Sequence, residues 1–201
     1  MKRSFALLFS LVLFGALVLG ATVVRADGGS DDNETACATT GAGAGSSSGE
    51  DSGGHGDSRV IRADRHDGTS ASDDESGDAS DDTMDGRAGN DDLNGEAGDD
   101  DMCGDDGNDT LKGGSGDDHL SGGRGDDDVQ GQQGDDVEQG NAGDDRISGG
   151  SGHDKLSGGS GDDRINARDG HRDHVTCGTG RDSVRADRSD VVAKDCEKVS
   201  R

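Results

Sequence analysis

Between Thr83 and Asp163 the chain divides without gaps into nine consecutive nonapeptides. An unbroken period of this kind restricts the fold more than any other feature, because so short a unit cannot bury a face alone and must stack on its neighbours. The fourth residue of every unit is glycine, from Gly86 to Gly158, and so is the seventh, from Gly89 to Gly161. The ninth is always aspartate: Asp91, Asp100, Asp109, Asp118, Asp127, Asp136, Asp145, Asp154 and Asp163. The second is apolar in Met84, Leu93, Met102, Leu111, Leu120, Val129, Ile147 and Leu156, with Glu138 the exception. At Glu138 the neighbouring Val137 is expected to turn inward instead, making that coil the weakest of the array.

Gly113-Gly114-Ser115-Gly116-Asp117-Asp118-His119-Leu120-Ser121 and Gly158-Gly159-Ser160-Gly161-Asp162-Asp163-Arg164-Ile165-Asn166 resemble the RTX, or hemolysin-type, calcium-binding repeat, G-G-x-G-x-D-x-U-x with U a large aliphatic residue. The second glycine is relaxed to Arg87, Glu96, Asp105, Gln132 and Asn141 in five units. Glycine serves where the backbone must reach positive φ or approach a ligand closely. A six-residue turn followed by three extended residues would point only the middle one, U, inward. Two units then close one coil. The expected fold is all-β, a parallel β-roll (β-solenoid) with two short strands per 18-residue coil. Leu93, Leu111, Val129, Ile147 and Ile165 would line one sheet, and Met84, Met102, Leu120 and Leu156 the facing one. The resemblance implies several Ca²⁺ ions, each held between a turn and the one stacked on it by carboxylates and backbone carbonyls. Asp91, Asp109, Asp127, Asp145 and Asp163 would supply one edge, and Asp100, Asp118, Asp136 and Asp154 the other. Calcium suits such ligands, being a hard cation that accepts six to eight oxygens in forgiving geometry. The repeats offer no cluster of the nitrogen and sulfur ligands that zinc prefers.

The formal charge of −25, the 38 glycines and the absence of proline would, without the repeat, describe a disordered chain. So acidic a chain repels nucleic acid and anionic membrane surfaces and attracts multivalent cations. One inward aliphatic side chain per nonapeptide is a thin core for the conformational entropy lost on ordering, and stacked aspartates add repulsion. The ion-free chain is therefore expected to be largely unfolded.

Residues 1–26 form a secretory signal: Lys2 and Arg3, an uncharged apolar run from Phe5 to Gly20, and small residues for cleavage after Ala26. The run is short for a spanning helix, so the exported chain is expected to be soluble, without membrane insertion. Residues 27–52 read as a flexible, disordered Gly/Ser/Asp-rich linker. Residues 53–82 read as degenerate repeats or an N-terminal cap, with Gly68, Gly77, Asp73 and Asp82 in phase but His66 and Glu75 in inward slots. Residues 164–201 continue with one inserted residue: Ile165, Val175 and Val184 point inward and the tail from Val191 to Val199 acts as a cap. Cysteines of an exported protein form disulfides. Cys177 with Cys196 is the favoured pair. Cys103, at an outward position, could meet Cys37, and free or intermolecular thiols are the alternative for those two.

Other motifs are absorbed by the repeat. Arg124-Gly125-Asp126 has its glycine and aspartate fixed by the period, and Asn90 to Gly95 imitates an EF-hand loop whose glycine-rich flanks cannot make its two helices. His153, His171 and His174 lack zinc spacing and suit surface or turn roles. There is no His-Glu-x-x-His, Gly-x-Ser-x-Gly or phosphate-binding loop, so no enzyme is expected. The sequence reads as a secreted, extracellular calcium-binding protein. The alternative is a non-enzymatic cell-surface or matrix adhesion protein that uses the calcium-rigidified roll, its partner unidentified.

Overall fold

The structure is a computed structural model that describes residues 58–60 and 65–201. The signal, the linker and Cys37 lie outside the described residues, as does the side chain of His66. Seventeen strands follow one another without a helix among the described residues, and alternate strands join two parallel sheets. One sheet is β1 (Ser58–Val60), β3 (Asp74–Ser76), β5 (Asp92–Ala97), β7 (Thr110–Ser115), β9 (Asp128–Gln133), β11 (Arg146–Ser151), β13 (Arg164–Ala167), β15 (Ser183–Ala186) and β17 (Lys198–Ser200). The other is β2 (Arg65–Asp67), β4 (Thr83–Asp85), β6 (Asp101–Asp106), β8 (His119–Arg124), β10 (Val137–Ala142), β12 (Lys155–Ser160), β14 (His174–Thr179) and β16 (Val191–Val192). This is the expected parallel β-roll.

Register follows the 18-residue spacing. Leu93 pairs with Leu111, Leu111 with Val129, Val129 with Ile147 and Ile147 with Ile165. Across the core, Met84 pairs with Met102 and Met102 with Leu120. These side chains are at most 2 % exposed and form one cluster that continues through Val175, Cys177 and Val184. The disulfide joins Cys177 to Cys196, Cα atoms 5.2 Å apart, at the C-terminal end of that cluster. Cys103 is buried and also disulfide-bonded.

Two expectations need correction. Glu138 keeps its place in the ladder, opposite Leu120 and Leu156, and is fully buried while Val137 stays partly exposed. The reason is the period-two alternation of a strand: turning Val137 inward would flip every other side chain of β10 and break pairing with both neighbours. The strands of the central coils are also six residues long, not three. The ladder resumes after the fourth residue, with Glu96 opposite Gly114 and Gln132 opposite Gly150, so only the seventh to ninth residues make the turn. The residues that replace the second glycine keep the glycine-like backbone. Arg87, Glu96, Asp105, Gln132 and Asn141 all adopt φ between 68° and 83°. Stacking imposes a left-handed conformation that these side chains would otherwise avoid.

Candidate metal centre

Each ninth-position aspartate ends a three-residue turn and tucks its carboxylate under the stack. All nine predicted residues, Asp91 through Asp163, are at most 2 % exposed. They fall into the two expected edge rows, and within a row each carboxylate reaches back one coil. The Oδ1 of Asp109 accepts the amide N–H of Asp91 at 2.8 Å, and the Oδ1 of Asp127 accepts that of Asp109 at 2.8 Å. The other row repeats this, with Asp118 Oδ1 accepting Asp100 N–H and Asp136 Oδ1 accepting Asp118 N–H, both at 2.9 Å.

One oxygen of each carboxylate is thereby used. The other is not: Oδ2 of Asp91, Asp100, Asp109, Asp118, Asp127, Asp136, Asp145, Asp154 and Asp163 is buried without a hydrogen-bond partner, as is Oδ2 of Asp173 and Asp182. Buried polar atoms are nearly always paired, and an unpaired carboxylate oxygen is costlier than a neutral group. The environment opposes ionisation accordingly. Burial pushes Asp118, Asp127 and Asp136 up to about 7, opposed next by the backbone hydrogen bond each accepts, while the charges of neighbouring aspartates add smaller upward pushes. Asp91, Asp145, Asp154 and Asp173 rise to about 6 for the same leading reason.

Glycine at the fourth position keeps room for these oxygens. A Cβ on Gly95 would meet Asp100 Oδ2 and lie 2.6 Å from the carbonyl oxygen of Gly113, one coil on. On Gly140 it would meet Asp145 Oδ2 and lie 2.7 Å from the carbonyl of Gly158. The turn thus carries a cradle of one carboxylate and one carbonyl oxygen, repeated along both edges. Among the described residues no three acidic, histidine or cysteine side chains gather closely enough to hold a metal by themselves. A cation at these edges has to draw on backbone carbonyls, as a hard ion with many oxygen ligands can.

Two features escaped the sequence reading. The carboxylate row does not end at Asp163, whose own N–H donates to Asp182 Oδ1 at 2.9 Å. Asp154 N–H donates to Asp173 Oδ1 at 3.0 Å, and Asp182 N–H to Glu197 Oε2 at 2.9 Å. The inserted residue lengthens the spacing from 18 to 19; the phase was legible, but not that its aspartates continue the row. A second, exposed ladder runs in the opposite sense through the eighth position. The Oδ1 of Asp99 accepts Asp117 N–H, that of Asn108 accepts Asp126 N–H, and that of Asp126 accepts Asp144 N–H, at 2.9–3.0 Å. Asn or Asp at eight of the nine eighth positions was the available signal. In the Arg-Gly-Asp stretch, Asp126 is held by this ladder and Arg124 pairs with Asp106 at 2.6 Å. His153, His171 and His174 are exposed.

Four copies of the RTX calcium-binding nonapeptide repeat match the chain, over residues 67–102, 76–111, 103–138 and 139–173, together more than half of its 201 residues. The chain belongs to the RTX calcium-binding repeat family. RTX repeats bind calcium, and the buried, unpartnered Oδ2 atoms of this RTX roll fit that ion. No curated protein matches the chain.

Proposed function

We propose that this RTX protein is exported, takes up several Ca²⁺ ions along both edges of the roll, and folds on doing so. The observation that carries the reading is the double row of buried Oδ2 atoms without partners. Asp91, Asp100, Asp109, Asp118, Asp127, Asp136, Asp145, Asp154 and Asp163 would be the carboxylate ligands, joined by Asp173 and Asp182, with carbonyl oxygens of the stacked turns completing each shell. Bound calcium would neutralise the charge that burial disfavours. It favours only the folded state, because the unfolded chain does not bring ligands from two coils together. Export rests on the signal of residues 1–26. The proposed organisation beyond it is the linker at 27–52, an N-terminal cap at 53–82, the nine-unit roll at 83–163 and irregular coils with a cap at 164–201. No catalytic role is proposed, nor a nucleic-acid partner.

The adhesion alternative draws support from the outer face of the first sheet. There Arg146, Arg164 and Arg185 line a groove with Gln130, Ser148 and Asn166, and Asp128 is the one acidic residue among them, so the stretch is net cationic on an acidic protein. Retention of the chain on the source cell surface, lost on replacing these arginines by serine, would favour it. Calorimetric titration tests the main reading. Saturable binding of several Ca²⁺ ions per chain is expected, and Mg²⁺, which needs near-octahedral geometry and gives up water reluctantly, should bind far more weakly. Equal midpoints for the two ions would rule out the mixed carboxylate and carbonyl sites.

A further inference from the structure

Glu138 occupies a slot that the repeat reserves for an aliphatic side chain, yet it is 0 % exposed and neither carboxylate oxygen has a hydrogen-bond partner. Burial and the charges of Asp154, Asp136 and Asp173 push its pKa well above the usual glutamate range. The backbone of Gly131 lies near enough to favour the charged form a little, without meeting hydrogen-bonding geometry. A misfit of this size in the middle of the array calls for a compensating partner.

Its position names one. Oε1 of Glu138 lies 2.6 Å, and the carbonyl oxygen of Gly149 2.7 Å, from the place a Cβ on Gly131 would occupy, and Oδ2 of Asp136 is closer still. Three oxygens from two coils therefore converge beside the Gly131 Cα. At the equivalent cradle of Gly77, the residue seven places on is Met84, and its Cε lies 3.0 Å from the corresponding Cβ position. The second-position side chain thus reaches the edge cradle, and at Glu138 it brings an oxygen where Met84 brings a methyl group.

We infer that Glu138 is an inner calcium ligand, closing with Asp136 and the Gly149 carbonyl a site that carries one carboxylate more than the repeat pattern supplies. The inference rests on the proposed calcium binding and deepens it. Because ligand charge tunes calcium affinity, this site is the tightest of the roll.

The test is calorimetric Ca²⁺ titration of the full chain, followed in parallel by circular dichroism, for wild type, Glu138→Gln and Glu138→Leu. Wild type is expected to show one ion bound more tightly than the rest. Glu138→Gln should weaken that class at least tenfold, and Glu138→Leu should lower the number of bound ions by one while the roll still folds in excess Ca²⁺. Should the leucine variant fail to fold, the near-isosteric glutamine variant decides. Unchanged stoichiometry and tightest-class affinity in the folded variants, or tighter binding by Glu138→Leu, would overturn the inference and make Glu138 only a poorly fitting core residue. A wild type that binds no calcium would instead overturn the proposed function.

Discussion

Replacing Asp127 by asparagine should change the stability of the roll in opposite directions with and without calcium. The asparagine side-chain oxygen can still accept the Asp109 amide hydrogen that Asp127 Oδ1 accepts at 2.8 Å, so the ladder survives while the charge is lost and an amide NH₂ takes the place of Oδ2. In chelator at pH 8 that charge is a burden. Burial first, then Asp145, Asp109 and Asp126, raise the Asp127 carboxyl from 3.8 to about 7. At roughly 1.4 kcal/mol per tenfold change in proton affinity, ionising it in the folded state costs ~4 kcal/mol. The ion-free variant should be more stable, by less than that figure because a buried NH₂ without an acceptor offsets part of the gain. In calcium the sign reverses, because Asp127 Oδ2 is buried and unpartnered and serves the proposed site as a charged ligand. Loss of the charge should weaken uptake by about 2 kcal/mol or more, the scale of a hydrogen bond to a charged group. The assay is far-UV circular dichroism in two titrations: with an excluded osmolyte such as TMAO in chelator, which favours compact states, and with Ca²⁺. The variant should fold at lower osmolyte but need more Ca²⁺ than wild type. A shift of the same sign in both titrations would refute the reasoning.

Three further outcomes are expected. Gln132→Gly relieves a left-handed backbone at φ 83°, and urea unfolding in Ca²⁺ should show a gain of about 1 kcal/mol, the handedness penalty less glycine's extra chain entropy. Asp126→Ala removes one exposed ladder bond to the Asp144 amide, so it should lose only about 0.5–1.5 kcal/mol by the same assay and leave the calorimetric number of bound ions unchanged. In chelator the pH dependence should run opposite to that of most acid-sensitive proteins. Asp91, Asp118, Asp127, Asp136, Asp145, Asp154 and Asp173 have folded-state pKa values raised to about 6–7. The folded chain therefore holds more protons than the unfolded one between about pH 4 and 7, and its stability is present at the acid end and lost as pH rises through that window. Hydrodynamic radius in chelator should increase from pH 4.5 to pH 8. A radius that falls over this range would contradict it.

The fold was legible because one unit repeated nine times fixes both the 18-residue stacking and the inward rows, down to Leu93 opposite Leu111. The aspartate rows were legible for the same reason, since an invariant ninth residue has to sit at the same edge in every second turn. What escaped depends on relations between coils that a single unit does not display. Glu138 reads alone as a defect, and only pairing with Leu120 and Leu156 explains why it cannot leave the core. Gln132 and Asn141 look unsuited to a glycine position until the ladder on both sides is seen to hold them at positive φ. The opposed hydrogen-bond directions of the eighth and ninth positions are likewise a property of the stack. The continued phase past Asp163 was legible too, but that Asp173 and Asp182 extend the carboxylate rows shows only in the hydrogen bonds they accept from the preceding coil.

The most direct test of calcium-coupled folding is the hydrodynamic radius and far-UV circular dichroism of the chain from residue 27 onward, in chelator and then across a Ca²⁺ titration at pH 8. Buried carboxylate oxygens without partners on both edges of the roll predict an expanded, strand-poor chain in chelator, and a single cooperative gain of β-structure and compaction as Ca²⁺ is added. A compact β-rich chain in chelator that Ca²⁺ leaves unchanged would contradict it.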